Sequence, residues 1–396
     1  MARRMVTGAT AIGLLVFFGT AAAVAAAGKQ AAASGCTAVV GRAVKVGSQP
    51  GPIAIAPDGK IAYVANANSG SVTPIRVATD TALAPIRVGG QSSLPLAIVI
   101  TPDSKMAYVA DDSGKVVPIR VATNSALRAI HVGQEPEAMT ITPNGKTVYV
   151  LRAAGYGVAG SVVPINTATN KALRPIKVGP QQPLSATSDI VVTPDGRTVY
   201  ATNAGSNSVT PIRVATGRPL RPIRIGGPND SPGAIAVTPD SKTAYVTDDF
   251  NHVVAIRTAT NRVVRRIGVG QAGFVLAIAP DGRTAYVVTE APSDRGFVVP
   301  IRISTNTALR PIAAGSGSDA IVVAPDGRMT YVANRDSNTV TPIRTATNTA
   351  ERAIKAGPVP SDLAITANGA TIYVVDYTQD VGPGFVTPIR TCATRF

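Results

Sequence analysis

The chain has 396 residues, of which 45% are hydrophobic, and it carries a formal net charge of +15 at pH 7. Aromatic residues make up only 4% and tryptophan is absent, so a core must be built mainly from small and β-branched side chains. This composition favours packed sheets over a leucine-rich helical bundle, and the 37 glycines and 31 prolines indicate short elements separated by turns.

The N-terminal segment differs from the rest of the chain. Arg3 and Arg4 precede an apolar run over residues 11–27, which ends in small residues. A charged start, an apolar middle and a small-residue cleavage site are the features of a secretory signal. The pattern predicts a signal peptide over 1–27, a short linker over 28–37, and a secreted protein that is also a candidate for association with the cell envelope.

Two alternatives for this segment remain open. The apolar run approaches the length that spans a bilayer, so it could be retained as an anchor. Alternatively Cys36 could be acylated, although Gly28-Lys29-Gln30 separates it from the apolar run, whereas a lipidated cysteine follows such a run closely. No other part of the chain is apolar for long enough to span, so no stable membrane segment is expected after cleavage.

An internal repeat follows, marked by a tyrosine in each copy and by an Asp-Gly, Asp-Ser or Asn-Gly dipeptide before it. The marker tyrosines are Tyr63, Tyr108, Tyr149, Tyr200, Tyr245, Tyr286, Tyr331 and Tyr373. The copy at 52–89 reads as four short apolar runs separated by turn residues. Asp-Gly between apolar runs is a strong hairpin signal, and four short strands in about 42 residues form one propeller blade.

The repeat predicts an all-β fold: one domain over 38–396, an eight-bladed β-propeller of four-stranded antiparallel blades. The predicted copies lie near 52–89, 96–133, 137–179, 188–226, 233–270, 274–314, 319–357 and 361–394, with 38–47 in addition. The last copy has three strands and no fourth, while 38–47 reads as a fourth strand with no blade before it. The N-terminal strand is therefore expected to complete the last blade, which leaves no open blade in the ring.

The only two cysteines support the same closure. When both ends are aligned on the complete repeat at 341–357, Cys36 and Cys392 fall on one position, Ala346, in the turn between the third and fourth strands. An exported chain with two cysteines at one place in the fold predicts a disulfide between them. Two free thiols are the alternative.

The repeat resembles the YVTN family of β-propeller repeats from about residue 38 to the end. The family tetrapeptide reads "YVAN" at 63 and 331 and "YATN" at 200. The resemblance implies a secreted or cell-surface propeller and implies no reaction. Seven copies depart from it by carrying proline in the third strand, as in "TPIR" at 73–76. Because proline lacks a donor, the third strand is expected to bulge there or to begin pairing only at the following isoleucine.

Function is expected on the loops that follow the second and fourth strands, because these loops differ between copies and recognition usually resides on such loops. They are rich in acidic residues, whereas the sides and the other face are basic. The candidate ligand-face residues are Asp111, Asp112, Asp248, Asp249, His252, Glu290, Asp294, Asp376 and Asp380. For Asp111 and Asp248 a structural role is the favoured interpretation, since each replaces the asparagine of "YVAN" and would hydrogen-bond the following loop.

The sequence predicts no catalytic, cofactor-binding or metal-binding residue. Only His131 and His252 are present, in different copies, so a histidine-rich copper or zinc site is excluded. The favoured function is a monomeric binding scaffold for a protein or a cell-envelope polymer. Nucleic acid is not expected as a partner, because the basic residues lack interleaved aromatics. The alternative is a lactonase- or lyase-like propeller enzyme that uses carboxylates and a divalent cation at the channel mouth.

Overall fold

The computed structural model describes residues 38–90, 93–152, 159–180, 189–227, 230–291, 293–378 and 382–391. Across these ranges the strands form eight antiparallel sheets. Helical structure there is confined to three single-turn 3-10 segments, Ala67–Ser69, Val121–Thr123 and Ala204–Ser206. None of the described helical segments is long and apolar enough to cross a lipid bilayer.

The strands follow one another blade by blade. The chain starts with β1 (Val39–Val40) and β2 (Val44–Lys45). Blade 1 contains β3 (Pro50–Ile55), β4 (Ile61–Asn66), β5 (Ser71–Arg76), β6 (Thr81–Ala82) and β7 (Ile86–Arg87). Blade 2 contains β8 (Pro95–Ile100), β9 (Met106–Asp111), β10 (Lys115–Arg120), β11 (Ser125–Ala126) and β12 (Ile130–His131). Blade 3 contains β13 (Pro136–Ile141), β14 (Thr147–Arg152), β15 (Ala159–Asn166), β16 (Lys171–Ala172) and β17 (Ile176–Pro180).

The second half repeats the order. Blade 4 contains β18 (Ile190–Val192), β19 (Thr198–Asn203), β20 (Ser208–Arg213), β21 (Arg218–Pro219) and β22 (Ile223–Arg224). Blade 5 contains β23 (Pro232–Val237), β24 (Thr243–Asp248), β25 (His252–Arg257) and β26 (Arg262–Gly268). Blade 6 contains β27 (Gly273–Ile278), β28 (Thr284–Glu290), β29 (Arg295–Arg302), β30 (Thr307–Ala308) and β31 (Ile312–Ser316). Blade 7 contains β32 (Ser318–Val323), β33 (Met329–Asn334), β34 (Thr339–Arg344), β35 (Thr349–Ala350) and β36 (Ile354–Lys355). Blade 8 contains β37 (Pro360–Ile365), β38 (Thr371–Asp376) and β39 (Phe385–Arg390).

The eight blades form a closed ring. The first strand of each blade contacts the first strands of both neighbouring blades, and β37 of blade 8 contacts β3 of blade 1. Buried apolar clusters lie between consecutive blades, so each sheet is covered on both faces. This explains why the second strands are buried at consecutive positions instead of at alternate ones. The predicted eight-bladed propeller is confirmed.

The N-terminal strands close the ring as predicted. β1 and β2 both pair with β39, with Val39 opposite Arg390 and Val44 opposite Val386. The N-terminus therefore supplies the fourth strand that the last blade lacks. Cys36 and Cys392 lie outside the described residues, so their disulfide stays a prediction.

The third strand accommodates proline without a bulge, and the expectation of a bulge or late pairing was wrong. In blade 1, Pro74 stands opposite Tyr63 in an unbroken ladder between β4 and β5. Its carbonyl accepts a hydrogen bond from Leu83 N on the fourth-strand side, at 2.8 Å. The N and C=O of one residue point to the same side of an antiparallel strand. The missing N–H of Pro74 therefore faces Leu83, where the interruption between β6 and β7 begins.

The same correlation holds around the ring. The fourth strand is split into two short pieces in all seven blades that carry the proline. Blade 5 has Ala255 at that position, and its fourth strand β26 is continuous, with Ala255 opposite Arg265. Proline in the third strand and a split fourth strand thus occur in the same blades.

The marker tyrosines connect neighbouring blades, which the sequence analysis did not predict. In six blades the hydroxyl donates to an Asn or Asp carboxamide or carboxylate oxygen in the turn after the third strand of the next blade. The pairs are Tyr63–Asn124, Tyr108–Asn170, Tyr200–Asn261, Tyr245–Asn306, Tyr286–Asn348 and Tyr373–Asp80. Each acceptor has a positive φ near 50°, which Asn and Asp tolerate better than most residues. The recurrent "ATN" of the sequence was the signal that could have revealed these bonds.

Candidate functional site

The loops that vary between copies lie together on one face of the ring. In five blades a residue after the second strand donates its backbone N–H to a carbonyl in the connection from the preceding blade, at 2.7–3.1 Å. The pairs are Ala67–Gln49, Asp112–Leu94, Asp249–Ser231, Arg335–Gly317 and Tyr377–Val359. We call the face formed by these second-strand loops and blade connections the variable-loop face. The opposite face, formed by the turns after the first and third strands, is the hairpin-turn face.

In blade 2 the two candidate aspartates hold these loops in place. Asp111 is fully buried at the end of β9, and its Oδ1 accepts from Ser113 Oγ at 2.6 Å and from Lys115 N at 3.2 Å. Asp112 Oδ1 accepts from Leu94 N in the blade connection at 2.8 Å. The loop-holding role expected of Asp111 is therefore present.

Blade 5 contains a polar cluster around Arg266. Asp248 Oδ1 accepts three backbone N–H groups of its own loop, those of residues 250 to 252, at 2.8–3.2 Å. Its Oδ2 lies 3.4 Å from His252 Nδ1 and 3.3 Å from Arg266 Nη2. The same Arg266 nitrogen is 2.7 Å from Asp230 Oδ2 in the connection from blade 4. Asp248 and His252 thus belong to one network, whose Asp230 and Arg266 members were not predicted.

The charges of this cluster follow from its contacts. The hydrogen bond from Arg266, followed by that from Gly227 N, holds the pKa of Asp230 below its usual value. Burial raises the pKa of Asp249, and the nearby Asp248 raises it further. One arginine is therefore shared by two carboxylates, and the network carries a net negative charge.

A second cluster joins blades 6 and 7. Arg335 Nη1 lies 3.0 Å from Asp319 Oδ2, and its Nε lies 3.1 Å from Asp336 Oδ1. Glu290 Oε1 accepts from Gly317 N at 3.2 Å. Burial is the main cause that raises the pKa of Asp319 to about 6, and the charges of Glu290 and Asp336 add to it. Three carboxylates face one arginine here, again with net negative charge.

Of the remaining candidates, Asp376 lies apart from these clusters and Asp294 borders the second one. Asp376 is buried at the end of β38, where Thr387 Oγ1 donates to its Oδ2 at 2.6 Å and burial raises its pKa to about 7. Asp294 lies in the turn before β29, close enough to Glu290 for its charge to raise the pKa of that residue. Asp380 lies outside the described residues. Within the described ranges no three His, Cys, Asp or Glu side chains form a group that could hold a metal ion.

Two exposed aromatic side chains lie on the same face and were not among the predicted residues. Phe250 follows the Asp248-Asp249 pair in the loop before β25 and is 55% exposed. Phe274 lies at the start of β27, the first strand of the next blade, and is 40% exposed. Their signal in the sequence was an aromatic residue at a loop position and at a strand start, in a chain with only seven phenylalanines.

Two further buried carboxylates join first strands of neighbouring blades. Asp362 Oδ2 accepts from Ile53 N at 3.1 Å across the seam between blades 8 and 1, and Asp189 Oδ2 accepts from Ile235 N at 3.0 Å between blades 4 and 5. Burial raises the pKa of Asp362 to about 7 and that of Asp189 to about 6. These groups serve the ring itself, because their oxygens are occupied by backbone donors.

Comparison with known proteins supports the fold and goes no further. No protein-family model matches the chain, and no curated protein is similar to it. Among solved structures, the C-terminal WD40 domain of Sif2 is similar with a TM-score of 0.71 and 13% identity, over 90% of this chain and 99% of that one. Hydrazine synthase of Kuenenia stuttgartiensis is similar with a TM-score of 0.58 and 22% identity, over 87% of this chain and 97% of the other. At these identities the likeness defines the class of protein, a β-propeller, and no more.

Proposed function

We propose that the protein is an exported, monomeric binding scaffold that holds a protein partner on its variable-loop face. The observation that carries this proposal is the pair Phe250 and Phe274, which expose aromatic rings in adjacent blades of that face. Exposed aromatics surrounded by polar groups are typical of the energetic centres of protein interfaces.

The charge of the face indicates the kind of partner. The networks around Arg266 and Arg335 both carry more carboxylates than cations. A partner surface with basic residues around an apolar centre would complement them, and such complementarity guides association and selects against acidic partners. Export is supported by the apolar segment 11–27 with its preceding arginines and by the resemblance to YVTN repeats.

The test is affinity capture of partners from the extracellular fraction with the full mature chain. The variant Phe250→Ser/Phe274→Ser removes both aromatic rings, and Val263→Ser/Val264→Ser is the matched control, because these valines are 37% and 42% exposed on the outer strand β26. We expect at least one protein to be captured by wild type and control and lost with the phenylalanine variant. Equal capture by all three proteins, or no captured protein, contradicts the proposal.

A further inference from the structure

The hairpin-turn face carries a basic pair at the same place in most blades. In blade 1, Val77 N donates to the carbonyl of Lys60 at 2.9 Å, which fixes Lys60 next to Arg76 at the end of the third strand. The equivalent bond to a basic residue is present in six more blades, and in five of these an arginine ends the third strand as well. The six basic pairs are Lys60–Arg76, Lys105–Arg120, Arg197–Arg213, Lys242–Arg257, Arg283–Arg302 and Arg328–Arg344. Blade 3 retains only the lysine of the pair and blade 8 only the arginine.

Neighbouring pairs are close in space because the turns of adjacent blades touch. Asp58 N in the turn of blade 1 donates to Ser104 Oγ in the turn of blade 2 at 3.0 Å, and Asp195 N donates to Ser241 Oγ in the same way between blades 4 and 5. The pairs therefore follow one another around the face, in one run over blades 1 and 2 and another over blades 4 to 7.

A groove opens between blades 1 and 2 on this face. It has a cavity volume of about 1070 Å³ and is lined by Lys60, Arg76, Lys105 and Arg120, with Val77 and Val121 among its apolar residues. No aromatic side chain lines it, so it offers no platform on which a nucleic-acid base could stack.

The arginines of the groove are available to a ligand. Arg76 and Arg120 are exposed, and no carboxylate of the described chain lies within 4.0 Å of either guanidinium. The lysines are nearer to acids: Lys60 Nζ is 3.5 Å from Asp58, and Lys105 Nζ is 3.4 Å from Asp103. The lysines of both ion pairs are highly exposed. Exposed ion pairs are weak, so a bound anion can take the place of the carboxylate at little cost in free energy.

We propose that the groove between blades 1 and 2 binds a linear phosphate-bearing polymer, with one phosphate group at each Lys–Arg pair. A phosphate has several anionic oxygens, so it can accept from the planar fork of Arg76 and from Lys60 together. The next pair, Lys105–Arg120, belongs to the adjacent blade. A polymer held at the first pair can therefore bind the second pair without the loss of translational freedom that a separate phosphate would incur. This site is on the face opposite to Phe250 and Phe274, so it is independent of the proposed protein interface.

The test measures binding of long-chain inorganic polyphosphate to the full mature protein by fluorescence anisotropy. Arg76→Gln/Arg120→Gln removes both forks, and Arg128→Gln/Arg174→Gln is the control with the same loss of charge, at exposed positions outside the groove. Hydrogen bonds between a guanidinium and a phosphate are stronger than neutral ones, so we expect the first variant to weaken binding at least about tenfold and the control less than about twofold. Arg76→Lys/Arg120→Lys, which keeps the charge without the fork, should fall between them.

The other outcomes each decide against part of the proposal. Equal losses of polyphosphate affinity in the groove variant and the control would show that the polymer is attracted by net charge alone, which overturns the proposed site. If tripolyphosphate binds as tightly as the long chain, the ligand is a small anion and the proposal of a polymer is overturned. Vesicles with anionic lipid that bind in a groove-dependent way, while polyphosphate does not, assign the face to a membrane surface and overturn the proposal. Unchanged thermal unfolding of the variants confirms that they are folded.

Discussion

The bond between Tyr245 and Asn306 allows a direct measurement of how adjacent blades are held together. The Tyr245 hydroxyl donates to Asn306 Oδ1 at 2.6 Å between blades 5 and 6. Tyr245→Phe removes this donor and leaves the packed ring in place. A neutral hydrogen bond contributes about 1 kcal/mol net, and an acceptor left in a partly buried site adds to the cost, so we expect a loss of about 1–2 kcal/mol in the free energy of unfolding.

The chain supplies a matched control. The residue equivalent to Asn306 in blade 4 is Gly217, which has no side chain to accept from Tyr149 of blade 3, so Tyr149→Phe should change stability by less than about 0.5 kcal/mol. Asn306→Gly reproduces that natural arrangement and tolerates the positive φ of 50°. Urea unfolding of the single and double variants yields the coupling energy, which we expect to be about 1 kcal/mol. A coupling near zero, or an equal loss for Tyr149→Phe, refutes the assignment of an energetic role to these bonds.

Three other outcomes are expected. Ala255→Pro removes a donor opposite the continuous strand β26 and should lower the free energy of unfolding in urea by about 1–3 kcal/mol. Pro211→Ala lies opposite the split fourth strand of blade 4 and should change that free energy by less than about 1 kcal/mol. The reverse order would contradict the coupling of proline to the split strand. Burial raises the pKa of Asp362 from 3.8 to about 7, so the folded protein binds this proton more tightly than the unfolded chain does. The free energy of unfolding should therefore fall as the pH rises from about 4 through 7, and Asp362→Asn should flatten this slope. A thermal midpoint that rises over that pH range would contradict the prediction. Non-reducing peptide mass spectrometry of the mature protein should find Cys36 and Cys392 in one linked pair, and free thiols at both would reject the disulfide.

Much of the fold could be predicted because its signals are local and repeated. Asp58-Gly59 and its equivalents place the first hairpin of each blade, since a turn with positive φ needs such residues wherever it occurs. The N-terminal strand could be assigned to the last blade because a missing fourth strand at one end matched a surplus strand at the other. The loop-holding role of Asp111 could be predicted for the same reason, because its partners lie within four residues.

The candidate site was only partly predicted, because its contacts join distant parts of the chain. Arg266 meets Asp230, 36 residues away, and Arg335 meets Asp319 across two strands. Neither arginine differs in local sequence from the many other basic residues of the repeat. The exposure of Phe250 and Phe274 also depends on which side chains neighbouring blades leave uncovered.

The sequence by itself determined the number of blades, their strand order and the closure of the ring, because each rests on residue patterns that recur every 41 to 51 positions. Only the tertiary structure decided how Pro74 and its equivalents fit. Whether a strand tolerates proline depends on what its missing N–H faces, and here it faces the split fourth strand of the same blade. Tertiary structure likewise decided that marker tyrosines bridge blades and that two of the basic pairs line one groove, since both depend on distances between residues far apart in the chain.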